Sequence, residues 1–192
     1  PEHIESLALL ATPWDFHAAT GGPAPLLVSL RPWLESLIEA VRVLPVDVLQ
    51  AFFFALDPLQ SWAKFRRFSE FDGRSEEAQR FVALEDWAND GVALAGPVAR
   101  ECILGWYIAN TPARGEWLVA GVPVDPAAIK VRTLIVLTAR DRIVPAAAAA
   151  ALADAMPFAQ RLTPKGGHVG MVVGRGAEVE LWRPLTTWLA NR

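Results

Sequence analysis

Two residues of the sequence, Asp141 and His168, have the types and the spacing of an acid–base pair. Asp141 follows a predicted strand at 131–138, and His168 follows a predicted strand at 158–163. Their separation of 27 positions corresponds to one strand–helix–strand crossover, so both side chains should lie at the carboxyl edge of neighbouring parallel strands. A carboxylate that orients an imidazole and stabilises its charged form is the acid–base half of a nucleophilic triad.

Structural roles explain the same two residues equally well at this point. Asp141 could pair with Arg140 or Arg142 at the surface, or it could cap the helix that follows. His168 could be a loop residue without a chemical task. The glycines around His168 would let the backbone approach a substrate closely, but the spacing alone leaves the catalytic and the structural interpretations open.

A triad also needs a nucleophile, which in α/β hydrolases lies on a G-x-[Ser/Cys]-x-G turn between a strand and a helix. The sequence contains no such turn. Ser75 follows Gly73-Arg74 but is followed by two glutamates. Cys102 has no flanking glycine and lies in a predicted helix, where a free cysteine is usually a small buried apolar residue and where Glu101 would oppose thiolate formation.

The elements that must position the pair alternate in a pattern typical of an α/β protein. Three apolar runs predict strands, at 6–11, 131–138 and 158–163, and the β-branched run at 131–138 indicates a strand buried on both faces. Apolar periodicity, prolines and capping residues predict helices at 25–44, 45–57, 59–68, 75–87, 97–110, 146–156 and 177–190. The sequence therefore predicts a parallel sheet with a large helical insertion, or lid, at about 21–125.

The composition excludes several other classes of protein. The chain has 192 residues, 53% of them hydrophobic, which argues against disorder. One cysteine excludes an internal disulfide framework, and a net charge of −3 argues against nucleic-acid binding. No apolar run is long enough for a membrane span, and the N-terminus has no signal-peptide pattern. We expect a cytoplasmic protein, in which the eight Trp lie at core edges or along a groove.

Several motifs, in order along the chain, resemble those of poly(3-hydroxyalkanoate) synthases. They are residues 9–16 (LLATPWDF), 56–59 (LDPL), 64–66 (KFR), 86–91 (DWANDG), 96–99 (GPVA), 110–111 (NT), 141–145 (DRIVP), 167–171 (GHVGM) and 181–185 (LWRPL). Each motif alone is weak, but their order makes the resemblance specific over essentially the whole chain.

The resemblance implies an α/β-hydrolase fold and an acyltransferase that polymerises 3-hydroxyacyl units from coenzyme A thioesters. In that family a cysteine nucleophile carries the acyl chain as a thioester. The matching residues imply that His168 deprotonates the thiol and then the 3-hydroxyl of the next unit, while Asp141 orients His168. The coenzyme A thioester is the substrate, and no resident cofactor or metal is implied. The aromatic lid would offer an apolar path to the polyester, at a granule surface, and the resemblance allows a homodimer.

Two departures from the family pattern matter. Arg142 stands where many members carry a second histidine. The family's cysteine turn precedes the motif at 9–16 by some tens of residues, which places it before Pro1. Residues 1–192 are therefore expected to be the C-terminal part of an α/β-hydrolase domain, with the upstream part of the same protein as partner and with strand 6–11 left as an unpaired edge.

Two other functions are compatible with these residues. The same Asp–His pair would serve an esterase or an intracellular polyester depolymerase, in which case an upstream serine would be the nucleophile. A degenerate domain without any upstream nucleophile would instead bind a partner or the granule surface through its Trp-rich lid.

Overall fold

The structure, a computed structural model, describes residues 4–19, 22–56 and 58–191. In these residues the strands are β1 (Ser6–Leu10), β2 (Val43–Leu44), β3 (Leu94–Ala95), β4 (Leu118–Val119), β5 (Val122–Pro123), β6 (Arg132–Val136) and β7 (Ala159–Leu162). The α-helices are α1 (Ala24–Val41), α2 (Val46–Leu56), α3 (Pro58–Phe68), α4 (Glu76–Asn89), α5 (Gly96–Arg100), α6 (Ala146–Ala155), α7 (Gly170–Val173) and α8 (Arg183–Ala190). The predicted start of the lid at residue 21 and the predicted helix end at residue 57 lie outside the described residues.

The main sheet is parallel and has the strand order β1-β6-β7. Leu10 is level with Val136, and Val136 is level with Leu162, so the three strands end at the same height. The segments that follow β1, β6 and β7 therefore leave from one edge of the sheet. The fold is mixed α/β with a parallel sheet, as predicted, and the three predicted strands are each found to within two residues at either end.

The central strand β6 is buried on both faces, as its apolar run predicts. Leu134 and Val136 belong to one buried cluster, and Ile135 belongs to another on the opposite face. The alanine-rich helix α6 contributes to both, with Ala149 in the first cluster and Leu152 in the second. This two-sided packing fixes the position of β6 and of the chain that follows it.

Two predicted α-helices contain π-helical turns. The segment predicted as a helix at 97–110 is α5 followed by a π-helix at Glu101–Ile108. The segment at 177–190 has a π-helix at Glu178–Trp182 before α8. In the second case Pro184 has no N–H and its ring crowds the carbonyl four residues earlier, and the wider turn just before it relieves that contact.

The first predicted helix, 25–44, ends early. Arg42 has a φ of 64°, a left-handed conformation that ends α1 at Val41. Val43 and Leu44 then form β2, which pairs antiparallel with β3. Pro45 disfavours a helical residue before it, so the short strand fits the backbone better than a continued helix. The prediction for 25–44 was wrong at its last three residues for this reason.

The chain divides into two compact units. The first contains the described residues of Pro1–Leu30 and Cys102–Arg192, and the second is Arg31–Glu101. The main sheet lies in the first unit. In the second unit, Phe68 stacks on Phe81 with ring centroids 4.4 Å apart, and Phe65 and Phe71 pack on these rings edge to face. Ser75 caps α4, since its hydroxyl accepts a hydrogen bond from the backbone N–H of Ala78.

We expect Ile135→Ala to lower the free energy of unfolding by about 2–5 kcal/mol, because Ile135 is 0% exposed and the truncation leaves a cavity at the centre of the sheet. Chemical denaturation monitored by circular dichroism measures the change. Leu189→Ala is the matched control, since Leu189 is 46% exposed and its truncation should cost less than about 1 kcal/mol. Equal losses in the two variants would contradict the two-sided burial of β6.

Candidate active site

The loop after β6 holds Asp141 in a tight turn. The backbone N–H of Asp141 donates to the carbonyl of Thr138 at 3.2 Å. The hydroxyl of Thr138 accepts a hydrogen bond from the backbone N–H of Arg140 and donates one to the carbonyl of Gly166. Thr138 thus fixes the turn that presents Asp141 and ties it to the loop after β7.

The carboxylate of Asp141 is almost completely buried, with a side chain 1% exposed. Its Oδ1 accepts hydrogen bonds from the backbone N–H groups of Ile143 at 2.9 Å and Val144 at 2.7 Å. Its Oδ2 lies 2.8 Å from Nδ1 of His168. A buried carboxylate needs such partners, because an unpaired charge away from water is costly.

His168 lies in a glycine-rich loop that brings its ring to Asp141. A Cβ at Gly166 would lie 2.5 Å from the backbone nitrogen of Met171, so this position requires glycine. The N–H of Met171 donates to the carbonyl of Gly167, which closes the loop. The imidazole is 33% exposed on its side chain, whereas its partner carboxylate is buried.

This geometry selects one tautomer of His168. A carboxylate only accepts hydrogen bonds, so Nδ1 carries the hydrogen that faces Asp141, and Nε2 is left with a free lone pair. An imidazole held in this way can accept a proton at Nε2, and the carboxylate stabilises the positive charge that results. The structure therefore brings the two predicted site residues into direct contact. The backbone hydrogen bonds of Asp141 come from the loop before α6, so Asp141 stabilises that loop and is not the cap of α6, whose N-cap is Pro145.

The two candidate nucleophiles occupy different kinds of position. Ser75 is the N-cap of α4 and its hydroxyl is engaged with a backbone N–H. Cys102 lies half-buried in the π-helix at Glu101–Ile108. Neither position is a strand-to-helix turn, so neither has the exposed geometry of a nucleophile elbow.

A second polar cluster lies after β1, at the same edge of the sheet. Asn110 is buried, has a φ of 55°, and donates from Nδ2 to Oδ1 of Asp15 at 2.8 Å. Its Oδ1 accepts a hydrogen bond from the backbone N–H of Phe16. Nε2 of His17 lies 2.9 Å from the backbone carbonyl of Tyr107. Sequence reasoning placed Asp15 and Asn110 in motifs but gave them no role. The sequence could have indicated a turn at Asn110, because asparagine tolerates the left-handed conformation and Thr111-Pro112 follows it directly.

Aromatic rings surround this cluster. The ring centroids of Trp106 and Trp117 lie 5.2 Å apart, those of Trp14 and Trp117 lie 6.0 Å apart, and Phe16 packs on Tyr107 at 4.8 Å. The backbone N–H groups of Trp14 and Asp15 both point at the carbonyl of Ala148 in α6. The segment after β1 is therefore anchored by packing and by hydrogen bonds from two sides.

A cavity of about 330 Å³ is lined by residues on either side of His168 in the sequence. Its lining includes Lys165, Gly166, Gly170, Gly174, Arg175 and Glu180. The backbone N–H of Lys165 donates to the carboxylate of Glu180 at 2.7 Å, which fixes the start of the loop that carries His168.

In the part of the chain that the structure describes, no group of three His, Cys, Asp or Glu side chains could hold a metal ion. Among the same residues, no helix is both long and apolar enough to cross a bilayer.

In this chain a buried carboxylate and an imidazole are in contact at the carboxyl edge of a parallel sheet. The fold and the site together define an α/β protein with a site suited to acid–base chemistry. Comparison with known proteins narrows this class. No protein-family model matches the chain. Over its whole length, however, the chain is similar to poly(3-hydroxyalkanoate) polymerase subunit PhaC, which confirms the resemblance read from the motifs.

The sequence identities to these relatives are low, and the match covers all of this chain but only part of each relative. The chain is 25% identical over 202 residues to the PhaC of Haloferax mediterranei and covers 40% of that protein. It is 25% identical over 200 residues to the PhaC of Allochromatium vinosum and 23% identical over 201 residues to that of Thiocystis violacea, covering 54% of each. The match includes 100% of this chain in all three cases. The chain thus spans about half or less of the length of these relatives and is similar to their C-terminal portion.

We expect Asp141→Ala to destabilise the fold, because it leaves the N–H groups of Ile143 and Val144 without their acceptor. The expected loss is about 1–3 kcal/mol in the free energy of unfolding, measured by urea denaturation. Asp154→Ala is the control, since its carboxylate is 69% exposed and pairs with Arg161 at the surface, where such a pair contributes less than about 1 kcal/mol. A smaller loss for Asp141→Ala than for Asp154→Ala would contradict the anchoring role.

Tyr107, the single tyrosine of the sequence, gives a direct optical test of the packing around the second polar cluster. Burial, and secondly the nearby Cys102, raise the pKa of Tyr107 above its usual value. Absorbance at the phenolate band should therefore show a higher titration midpoint in the folded chain than in urea. Because the pKa is raised on folding, the associated stability is present below the unfolded pKa and is lost as pH rises through the folded pKa.

Cys102→Ala removes only the second cause, so it should lower the midpoint while leaving it above that of the unfolded chain. A folded midpoint equal to the unfolded one would show that Tyr107 is accessible to water.

Proposed function

We propose that the chain is the C-terminal catalytic portion of an α/β-hydrolase-type acyltransferase that polymerises 3-hydroxyacyl units from coenzyme A thioesters into polyhydroxyalkanoate. The observation that carries this proposal is the 2.8 Å contact between Asp141 and His168 at the carboxyl edge of a parallel sheet. The similarity of the whole chain to PhaC polymerase subunits supports the choice of substrate class.

In the first step, Nε2 of His168 takes the proton of a thiol. The thiolate attacks the carbonyl carbon of the acyl-CoA thioester, and the bond between that carbon and the sulfur of coenzyme A breaks. The leaving coenzyme A thiolate takes the proton back from the imidazolium, so His168 acts first as a base and then as an acid. Asp141 stabilises the imidazolium in between.

In the second step, His168 takes the proton of the 3-hydroxyl group of another acyl unit. The hydroxyl oxygen attacks the thioester on the protein, a C–O bond forms, and the C–S bond to the nucleophile breaks. The nucleophile's thiolate recovers the proton from His168. Each cycle therefore adds one ester bond and returns His168 to its neutral form.

The nucleophile is supplied by the part of the protein that corresponds to the remaining length of the PhaC relatives. Ser75 and Cys102 lie in helical positions unlike a nucleophile elbow, which supports a nucleophile from elsewhere. The coenzyme A thioester is a substrate in this scheme, and the reaction needs no resident cofactor because both steps are acyl transfers with proton transfer through His168.

The unit Arg31–Glu101 is the core of the helical lid in this proposal. The bounds of about 21–125 are those predicted from the sequence. Many of the unit's large apolar side chains are exposed, which suits contact with an acyl chain or polyester. The exposed apolar side chains of this unit include Trp33, Phe53, Phe54, Trp62, Phe65, Val82, Trp87 and Val92. We place the protein in the cytoplasm, at the surface of polyester granules, where a homodimer would present two such lids.

The test is a chimera in which this chain replaces the matching portion of the Allochromatium vinosum PhaC. Coenzyme A release from 3-hydroxybutyryl-CoA and the mass of polymer are measured together. His168→Gln and Asp141→Asn should lower the rate by about 10²- to 10⁴-fold, because each removes part of the proton transfer. His17→Gln is the matched control, since His17 is exposed and its ring bonds the backbone carbonyl of Tyr107, an interaction that the glutamine amide can keep. Cys102→Ala should also leave the rate unchanged.

Three results would decide against the proposal. Coenzyme A release without polymer would identify a hydrolase that uses the same pair. A rate that survives His168→Gln in the folded chimera would point to a non-catalytic domain. Loss of activity only on Cys102→Ala would place the nucleophile inside this chain.

A further inference from the structure

One polar group among the aromatic rings that follow β1 lacks a hydrogen bond. The indole Nε1 of Trp106 is buried from water, and it has no hydrogen-bond partner among the residues that the structure describes. Trp106 as a whole is only partly buried, so its ring reaches the surface. A buried N–H without an acceptor is costly, and most such groups in folded proteins are paired with protein or with water. The position of Trp106 therefore calls for an acceptor.

Two other tryptophans show how an indole N–H is satisfied elsewhere in the chain. The N–H of Trp182 donates to the backbone carbonyl of Val172 at 2.9 Å, and that of Trp188 donates to the side-chain oxygen of Gln160 at 2.8 Å. Trp182 is 41% exposed, so water could serve as its acceptor, yet it is paired within the protein. The donor of Trp106 is unpaired at a place where water cannot compensate for the missing bond.

The ring of Trp106 is restricted by its neighbours. Its centroid lies 5.2 Å from that of Trp117, edge to face, and 6.1 Å from that of Phe16. Its backbone carbonyl accepts a hydrogen bond from the N–H of Asn110 at 3.1 Å. Trp106 also lies in the π-helix at Glu101–Ile108, and π-helical turns are frequent at functional sites. Such a restricted donor loses little conformational entropy when a ligand binds to it.

The surroundings of the indole select a neutral acceptor. The contacting rings of Phe16 and Trp117 are apolar, and a carboxylate or phosphate placed against them would lose its hydration. One N–H cannot replace the several hydrogen bonds that such an anion makes with water. An ester carbonyl is a neutral acceptor, and the aliphatic carbons on either side of it can pack on aromatic faces. Each elongation step of the proposed function makes one such ester.

These rings belong to the same edge of the main sheet as the candidate pair. Trp14 and Phe16 follow β1, which ends level with β6. The backbone N–H of Trp14 donates to the carbonyl of Ala148 in α6, the helix that follows the loop of Asp141. An ester bound by Trp106 would therefore lie on the side of the sheet where acyl transfer takes place in the proposed function.

We propose that the indole N–H of Trp106 binds the carbonyl oxygen of an ester group of the polyester chain, beside the rings of Phe16 and Trp117. The proposal rests on the proposed function, which supplies the ester. It adds a binding site for the product chain that is separate from the contact between Asp141 and His168. In this role Trp106 holds the chain and takes no part in proton transfer.

The test follows the indole N–H groups of the eight tryptophans by two-dimensional NMR of the isotopically labelled chain. The probe is the methyl ester of a linear trimer of 3-hydroxybutyrate. We expect the indole proton of Trp106 to move downfield and to saturate, because a hydrogen bond to a carbonyl deshields it. The indole protons of Trp182 and Trp188 already have acceptors and should not move.

Two controls separate the hydrogen bond from apolar contact. The ether analogue of the trimer, in which a CH₂ group replaces each carbonyl, should leave the Trp106 indole proton without a downfield shift. Trp106→Phe keeps an aromatic ring but removes the donor, so calorimetric titration should show about 3- to 10-fold weaker binding of the ester. Trp182→Phe removes an indole that is already paired and should not change the affinity.

The resonance of Trp106 is assigned by its absence from the spectrum of Trp106→Phe. If that variant does not fold, assignment through the backbone of the unaltered chain replaces it, and the comparison of ester with ether still decides.

Three results would overturn the site. The first is a Trp106 resonance that the ester does not move. The second is an exchange peak between this indole and water that persists with ester present, which would identify an internal water as the acceptor. The third is an upfield indole proton that is insensitive to ester, which would identify an N–H···π contact with Trp117.

The chimera separates this inference from the proposed function. Ester binding at Trp106 in a chimera that releases coenzyme A without polymer would sustain the site and count against the polymerase. Polymer formation by a chimera in which the ester does not shift Trp106 would overturn the site alone.

Discussion

The buried carboxylate of Asp141 is the interaction on which the candidate site depends. Its side chain is 1% exposed, and three hydrogen bonds compensate for its removal from water. Two of them come from the backbone just after β6 and set the conformation of that loop. The third comes from His168 and sets the orientation of the ring. Because one carboxylate satisfies both loops, the local fold and the geometry of the imidazole are parts of a single arrangement.

Much of this arrangement could be predicted from the sequence. The β-branched run at 131–138 predicts a buried strand, and β6 occupies Arg132–Val136. The spacing from Asp141 to His168 then places both residues at one sheet edge, since parallel strands require a crossover of about this length. The structure adds the contact itself and the two backbone hydrogen bonds, which depend on turn geometry that spacing does not encode.

Other parts of the fold depend on tertiary packing and could not be predicted from the local sequence. Residues 101–108 have the composition of an α-helix, but the turns widen where Trp106 and Tyr107 pack on Phe16, a residue some 90 positions earlier. The bond between Asn110 and Asp15 likewise joins segments 95 residues apart. The two-residue strands β2 and β3 were missed because two residues carry too little periodicity to distinguish a strand from a helix end.

The loops after the three parallel strands are joined to one another. Thr138 bonds the carbonyl of Gly166, which links the loop after β6 to the loop after β7. The carbonyl of Ala148, at the start of α6, receives the N–H groups of Trp14 and Asp15 from the segment after β1. A small side chain at the start of α6 lets these backbones come so close. The segments that follow the three strands are consequently linked in a series through Thr138 and through the start of α6, so a change in the backbone of one of them alters the hydrogen bonds of the next.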